Sequence, residues 1–290
     1  MLPPVSDAPP TPVPTARPSR RRRRVRWGVL LPGGLLLAFV LVAVFPQLVT
    51  DQDPERCDLS LSLDGPSRAH LFGYSVFGCD YLAETVYASR TSLTIAAVTV
   101  AGTVLVALVL GSVAGFYGGW LDRIIARATD VWTAVPLLLG AIVVLSALRV
   151  RGVWTVSLVL ILFGWPALVR LQRASVQAAA ANEYVTAARA LGAAPRRILV
   201  RHVLPNALRP LMSYASAYAG FVIGIEATLT YVGVGLQQPV LSWGQLLLQA
   251  QNRLPQAPHL ILPAVFLVVL VSSLVLLGQG LRRATDPLEA

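Results

Sequence analysis

Apolar residues along the chain fall into long runs separated by shorter stretches that carry arginine. Six runs stand out, at residues 28–49, 93–116, 131–148, 153–169, 211–236 and 260–281. Each is about 17 to 26 residues long, the length a helix needs to cross about 30 Å of hydrocarbon. The pattern predicts an all-α, polytopic membrane protein with six transmembrane helices. The third and fourth runs are short, so tilt or a shift of several residues is expected there. The first 27 residues are Pro- and Arg-rich and lack apolar residues to pack, which predicts a disordered tail at 1–27. The remaining division is a first transmembrane helix at 28–49, an outer loop at 50–90, a five-helix core at 91–281 that includes a long inner loop at 170–209, and a short tail at 282–290.

Composition narrows the class. Of the 290 residues, 55% are hydrophobic and 13% charged, against about 25% charged in a typical soluble domain. The formal net charge is +10, and all 24 basic residues are arginine. Without lysine, a Schiff base, a lysine general base and a Walker A phosphate loop are excluded. The charges sit between apolar runs, which points to a membrane and away from nucleic acid.

Short cytoplasmic loops are enriched in Lys and Arg, so the arginines orient the chain. With the N-terminus inside, seven arginines precede residue 28, Arg123 and Arg127 follow the second run, seven lie in 170–209, and Arg282 and Arg283 lie in the tail. These 18 face six outer ones: Arg56, Arg68, Arg90, Arg149, Arg151 and Arg253. Both termini are predicted to be cytoplasmic. The arginine run Arg20 to Arg24 before an apolar stretch also resembles a secretory or twin-arginine signal. Phe45-Pro46-Gln47-Leu48 offers no small-residue cleavage site, so an uncleaved anchor is expected.

Candidate chemistry is sparse. Cys57 and Cys79 both fall in the outer loop, where an oxidising environment permits a disulfide; a bridge and two unpaired thiols both remain open. His70, His202 and His259 lie in separate segments, so no metal site is expected. Glu226 is the one ionisable residue well inside a run, where an isolated charge is costly. It either lines a translocation path or is a structural carboxylate satisfied by Ser and Thr hydroxyls. Asp130 at the start of the third run is read first as an ion pair with Arg127 and second as a gate residue. Pro136, Pro166 and Pro263 read as tolerated kinks. Gly102, Gly111 and Gly115 share a helical spacing and predict close helix packing.

The inner loop is the most informative segment. Val176, Ala180, Tyr184, Ala187 and Leu191 recur at helical spacing, which predicts one amphipathic helix face. Gly192 and Pro195 predict a break, with a second short helix ending at Pro205. On the residues alone, the loop either lies on the anionic inner leaflet as a lipid contact or docks into a groove on a partner protein.

The string Glu183-Tyr184-Val185-Thr186-Ala187-Ala188-Arg189-Ala190-Leu191-Gly192, followed by His202-Val203-Leu204-Pro205-Asn206, resembles the EAA loop of ABC-importer permeases. Ala187, Ala188, Gly192, Leu204 and Pro205 match that signature at its spacing. Thr186 stands where the family usually has glutamate, with Glu183 one turn earlier as a partial substitute. Gly115-Phe116-Tyr117-Gly118-Gly119-Trp120-Leu121-Asp122, Asp130, Pro136, Gly164-Trp165-Pro166, Glu226-Ala227, Ser242-Trp243-Gly244 and Asp286-Pro287 extend the resemblance. The ordered set is similar to the C-type permease of the dipeptide, oligopeptide and nickel family. The outer loop departs from it: relatives commonly read H-P-L-G-T-D and G-R-D where this chain has His70 to Ser75 and Gly78-Cys79-Asp80.

The resemblance implies the type I importer-permease fold and a heterodimer with a homologous second permease. It also implies two separate ABC ATPase subunits beneath and an extracytoplasmic solute-binding protein that delivers peptides or a related small solute. The chain itself would bind no cofactor and catalyse nothing; ATP would act through the partner ATPases. Glu183, Thr186, Ala187, Ala188, Gly192, His202, Leu204 and Pro205 would form the coupling element in the cytoplasmic membrane of a prokaryote. An ion-coupled secondary transporter or channel using Glu226 is the alternative reading. An intramembrane enzyme lacks the paired acids or His/carboxylate set it would need.

Overall fold

The computed structural model describes residues 19–285. Within them the chain is helical, with only two isolated bridges, Cys57 to Cys79 and Tyr74 to Asp80. The helices are α1 (Ser19–Val44), α2 (Tyr81–Val106), α3 (Ser112–Tyr117), α4 (Gly119–Thr133), α5 (Leu137–Ala147) and α6 (Val153–Ala180). They continue with α7 (Glu183–Ala190), α8 (Pro195–Ile198), α9 (Leu204–Tyr231), α10 (Trp243–Ala250) and α11 (Leu262–Thr285).

Three described helices are long and apolar enough to cross a membrane: Tyr81–Tyr117, Val153–Ala180 and Pro258–Ala284. A fourth arises if α4 and α5, bent by 75°, count as one span. The apolar part of α1, Gly28–Val44, is shorter. α9 has 28 residues but is less apolar, since it carries Arg209, Ser213, Ser216, Glu226, Thr228 and Thr230. By length and composition the described residues thus hold several apolar spans, three of them unbroken helices and a fourth bent.

Boundaries moved where local chemistry overrides hydropathy. The helix of the second run starts at Tyr81 because Asp80 caps it, its Oδ1 accepting from the Ala83 amide at 2.8 Å. It passes through a π-turn at Ala107–Gly111 into α3. The third run is not one helix: Pro136 sits in extended backbone, and the chain turns there between α4 and α5. α6 runs eleven residues past the fourth apolar run and takes up the start of the inner loop. It stops where Asn182 folds back, its Nδ2 donating to the carbonyls of Ala178 and Ala179 at 3.2 and 3.1 Å. The second inner helix does not end at Pro205. That proline lies in the first turn of α9, where its missing N–H has no intrahelical partner to lose. α1 begins at Ser19, so the run Arg20 to Arg24 is helical, inside the segment expected to be a disordered tail. Asp286 and Pro287 lie outside the described residues.

Glycines set the closest helix contacts. A Cβ on Gly111 would come within 2.8 Å of the Val169 carbonyl and the Gln172 Cβ, and one on Gly115 within 2.7 Å of the Arg173 carbonyl. The π-turn and α3 therefore pack backbone to backbone on α6, as small-residue faces permit in lipid. The main core gathers Tyr81, Ile95, Leu145, Leu160, Leu168, Leu211, Ile223, Trp243 and Leu260. A separate cluster, Val176, Ala179, Val185, Ile198, Leu199, Val203 and Ala207, holds the inner loop together.

Candidate functional site

Polar chemistry gathers at the inner loop, at the Glu226 node and in a cavity between α5, α6 and α9, with further contacts in the outer loop and between α4 and α6. In the inner loop, α7 packs through one buried residue, Val185, onto the cluster formed by α6, α8 and α9. Ala188 and Leu204 pack beside it and are half-buried. The face expected from spacing was wrong because the chain turns at Ala181-Asn182 before α7 begins. Val176 and Val185 are buried, while Tyr184 is 42% and Leu191 87% exposed.

The outward stripe of α7 is Glu183, Thr186, Ala187, Ala190 and Leu191, all exposed and three to four residues apart. Gly192 follows at φ +77° with nothing within 4 Å of a would-be Cβ. Glycine is needed there for left-handed backbone, not for space. The Gly192 amide donates to the Arg189 carbonyl at 3.0 Å and the Ala193 amide to the Ala188 carbonyl at 3.1 Å. These bonds close the helix and turn the chain into Pro195 of α8. Asn206 ties the loop to α9, its Nδ2 donating to the Tyr184 hydroxyl at 3.1 Å and the His202 carbonyl at 2.9 Å. His202 itself is half-buried and Pro205 exposed.

Glu226 is fully enclosed by its own chain. Oε1 accepts from Thr230 Oγ1 at 3.0 Å and from Ser242 Oγ at 3.1 Å, and Oε2 accepts from Ser92 Oγ at 3.4 Å. Three segments thus meet on one carboxylate: α2, α9 and the start of α10. Trp243, also fully buried, donates from Nε1 to the Thr85 carbonyl at 2.9 Å and closes the same junction.

Asp130 is exposed, and its expected ion pair with Arg127 does not form among the described residues. The inner ion pair is instead Asp122 with Arg173, joining α4 to α6.

In the outer loop, Cys57 and Cys79 are bonded to each other. His70 Nδ1 lies 2.7 Å from Asp80 Oδ2, which links the loop to the cap of α2. Hydrogen bonds from the Ser60 hydroxyl and amide hold the Asp58 carboxyl below the usual carboxylate range. No group of three or more metal-ligating side chains occurs among the described residues.

The cavity has a volume of about 450 Å³ and is lined by residues of α5, α6 and α9, with Thr133, Val135 and Pro136 at the α4–α5 bend. Neither Glu226 nor Asp130 reaches it. Tyr214 and Tyr218 stack at 6.3 Å between centroids, and Tyr218 and Phe221 at 5.9 Å. Arg170 donates from Nη2 to Thr133 Oγ1 at 2.7 Å across its wall. In the sequence Arg170 counts only among the seven arginines of residues 170–209, and nothing there sets it beside the aromatic ladder. Aromatics at 214, 218 and 221, spaced four and three on one helix, were the available signal.

Comparisons with known proteins bear on this arrangement. Residues 107–288 match the family described as binding-protein-dependent transport system inner membrane component. The chain is 33% identical over 254 residues to the dipeptide transport system permease protein DppC of Alkalihalophilus pseudofirmus, covering 87% of this chain and 83% of that one. It is 34% identical over 269 residues to the glutathione transport system permease protein GsiD of Pectobacterium atrosepticum, covering 92% and 89%. The oligopeptide transport system permease protein OppC of Bacillus subtilis is 31% identical over 254 residues, with 87% and 83% covered. Among solved structures, a chain of the inward-facing MetNI methionine ABC transporter superposes with a TM-score of 0.56 at 20% identity, covering 70% of this chain and 96% of that one. That likeness concerns the fold.

Proposed function

The chain belongs to the family of binding-protein-dependent transport system inner membrane components, and on that premise we propose that α7 is the element through which ATPase subunits drive it. As a permease of that family it is a transport component and not an enzyme. The reading adds that it pairs with a homologous second permease above two ABC ATPases and accepts cargo from an extracytoplasmic binding protein. Peptides are the proposed cargo, since the relatives' names give dipeptides, oligopeptides and glutathione. Six spans with both termini cytoplasmic remain part of the proposal, supported by the arginine asymmetry and by α1 and α9 as the additional spans.

The observation that carries the reading is the free stripe of α7. Its residues are small except for Glu183 at one end and Leu191 at the other, while the opposite side of the helix is held to the body by buried Val185, half-buried Ala188 and the Tyr184–Asn206 bond. A short helix with small residues outward and one protruding leucine suits a groove on a partner. Leu191 would fill a pocket, and Glu183 would supply the carboxylate that Thr186 does not. The hydroxyl of Thr186 keeps hydrogen-bonding capacity without the charge.

Two structural facts weigh against ion coupling through Glu226. Its carboxylate already accepts three hydroxyl bonds, and it is closed off from the cavity. Its place at the junction of α2, α9 and α10 supports a structural role. The test of the coupling reading is site-specific cross-linking from a cysteine at Leu191 in the assembled transporter. Adducts with the ATPase subunit are expected; adducts only with lipid or with no subunit would overturn it.

A further inference from the structure

We propose that the cavity between α5, α6 and α9 contacts the cargo directly and receives a peptide by its free carboxylate, through Arg170. This rests on the peptide-importer reading and adds to it a recognition element inside the permease itself.

Of the described residues that line the cavity, Arg170 alone is charged. Its bond to Thr133 Oγ1 holds the guanidinium at the wall. Among the described residues no carboxylate pairs with it. A guanidinium presents five N–H donors in a fixed fork, and that fork matches a carboxylate at two points. The rest of the wall is mostly apolar, so an anion entering it would need such a partner.

A second observation points the same way. Tyr218 is 6% exposed, and its hydroxyl has no hydrogen-bond partner. A buried hydroxyl without a partner is costly, and native structures retain few of them. This one lies against Gly164, where a Cβ would collide with the hydroxyl oxygen, so glycine is what lets it sit against α6. Tyr218 and Gly164 both line the cavity, so a turn of the ring away from Gly164 would bring the hydroxyl to a peptide carbonyl or amide. Tyr214 and Phe221 flank it in the ladder and offer flat apolar surface that side chains of different shape can use. One fixed anion site, one hydroxyl and an undemanding aromatic wall together fit cargo that varies in side chain but keeps its terminus. Glu226 and Asp130 then have no part in cargo contact.

The test is uptake by the complete transporter of a labelled dipeptide and of the same dipeptide amidated at its C-terminus, at saturating binding protein. The binding protein is common to every variant, so a change in the ratio of free to amidated uptake belongs to the permease. Arg170→Gln is expected to lower that ratio about tenfold, the scale of a charge-assisted hydrogen bond. Arg170→Lys, which keeps the charge and loses the fork, should fall between. Thr133→Val keeps the guanidinium and removes its anchor, and should lower the ratio less than Arg170→Gln. Tyr218→Phe removes only an unbonded oxygen, so folding is kept; uptake of both peptides should fall together with the ratio unchanged. A ratio that stays at the wild-type value in both Arg170→Gln and Arg170→Lys while uptake continues would overturn the proposal. Should Arg170→Gln fail to assemble, Arg170→Lys and Thr133→Val decide by the same ratio. If the wild-type transporter takes up neither peptide, the peptide reading itself is what fails.

Discussion

Arg173 on α6 donates from Nη2 to Oδ2 of Asp122 on α4 at 2.7 Å, and its Nε donates to the other carboxylate oxygen. The two-point contact fixes α4, the helix before the 75° bend, against the helix that leads into the inner loop. It is partly buried, with side-chain exposures of 32% and 17%, so screening weakens it only in part. Asp122→Asn should cost about 1 to 2 kcal/mol, seen as a lower melting midpoint of the purified protein in detergent. In the double variant Asp122→Asn with Arg173→Gln the losses should be less than additive. Additive losses would mean the two side chains act independently.

The Glu226 node predicts a contrast between two substitutions. Glu226→Gln keeps an acceptor oxygen for Thr230 and Ser242 and should leave insertion and uptake nearly unchanged. Glu226→Leu strands the hydroxyls of Ser92 and Ser242 in a fully enclosed site. A loss of about 3 kcal/mol is expected, read as reduced yield and reduced protease resistance. Equal damage from both variants would instead indicate that the negative charge is required, as ion coupling demands.

Gly192 tests the turn between α7 and α8. Because nothing lies within 4 Å of a would-be Cβ, side-chain size is not the issue. The cost should follow tolerance for left-handed backbone: Asn mildest, Ala about 1 kcal/mol, Val greatest. Binding of the ATPase subunit by the variants should fall in that order. An order that tracked side-chain volume would show that the turn is packed against the partner.

The outer loop is closed by the bond between Cys57 and Cys79. Intact-mass measurement of the non-reduced protein should find both cysteines resistant to alkylation until a reductant is added. Cys57→Ser should loosen the loop and expose a cleavage site for added protease on the outer face. Ready alkylation without reductant would contradict the bond.

Much of the fold was visible in the apolar runs, and the glycine spacing at 111 and 115 gave a contact that the backbone distances bear out. What the runs could not show was where helices stop. Asp80 and Asn182 set ends by hydrogen-bonding free backbone groups, and neither changes hydropathy. The turn at Ala181-Asn182 then rotated α7, so a face read continuously from Val176 to Leu191 grouped Tyr184 and Leu191 with Val176, whereas Val176 is buried and the other two are exposed. The EAA resemblance rests on residue identity at fixed spacing, so it does not depend on which way α7 is rotated. The cavity was illegible for a different reason: its charge and its aromatics come from separate helices, and only packing brings Arg170 opposite the Tyr218 ladder.

The central claim is that this permease moves cargo only when ATPase subunits act on it through α7. The direct measurement is binding-protein-dependent uptake into proteoliposomes holding the complete transporter, with ATP supplied or withheld, for the wild type and for Leu191→Glu. The account predicts uptake that requires both ATP and the binding protein, and a loss of at least about tenfold in Leu191→Glu, on the scale of a leucine withdrawn from an apolar pocket. Uptake that persists without the ATPase subunits, driven by an ion gradient alone, would contradict it.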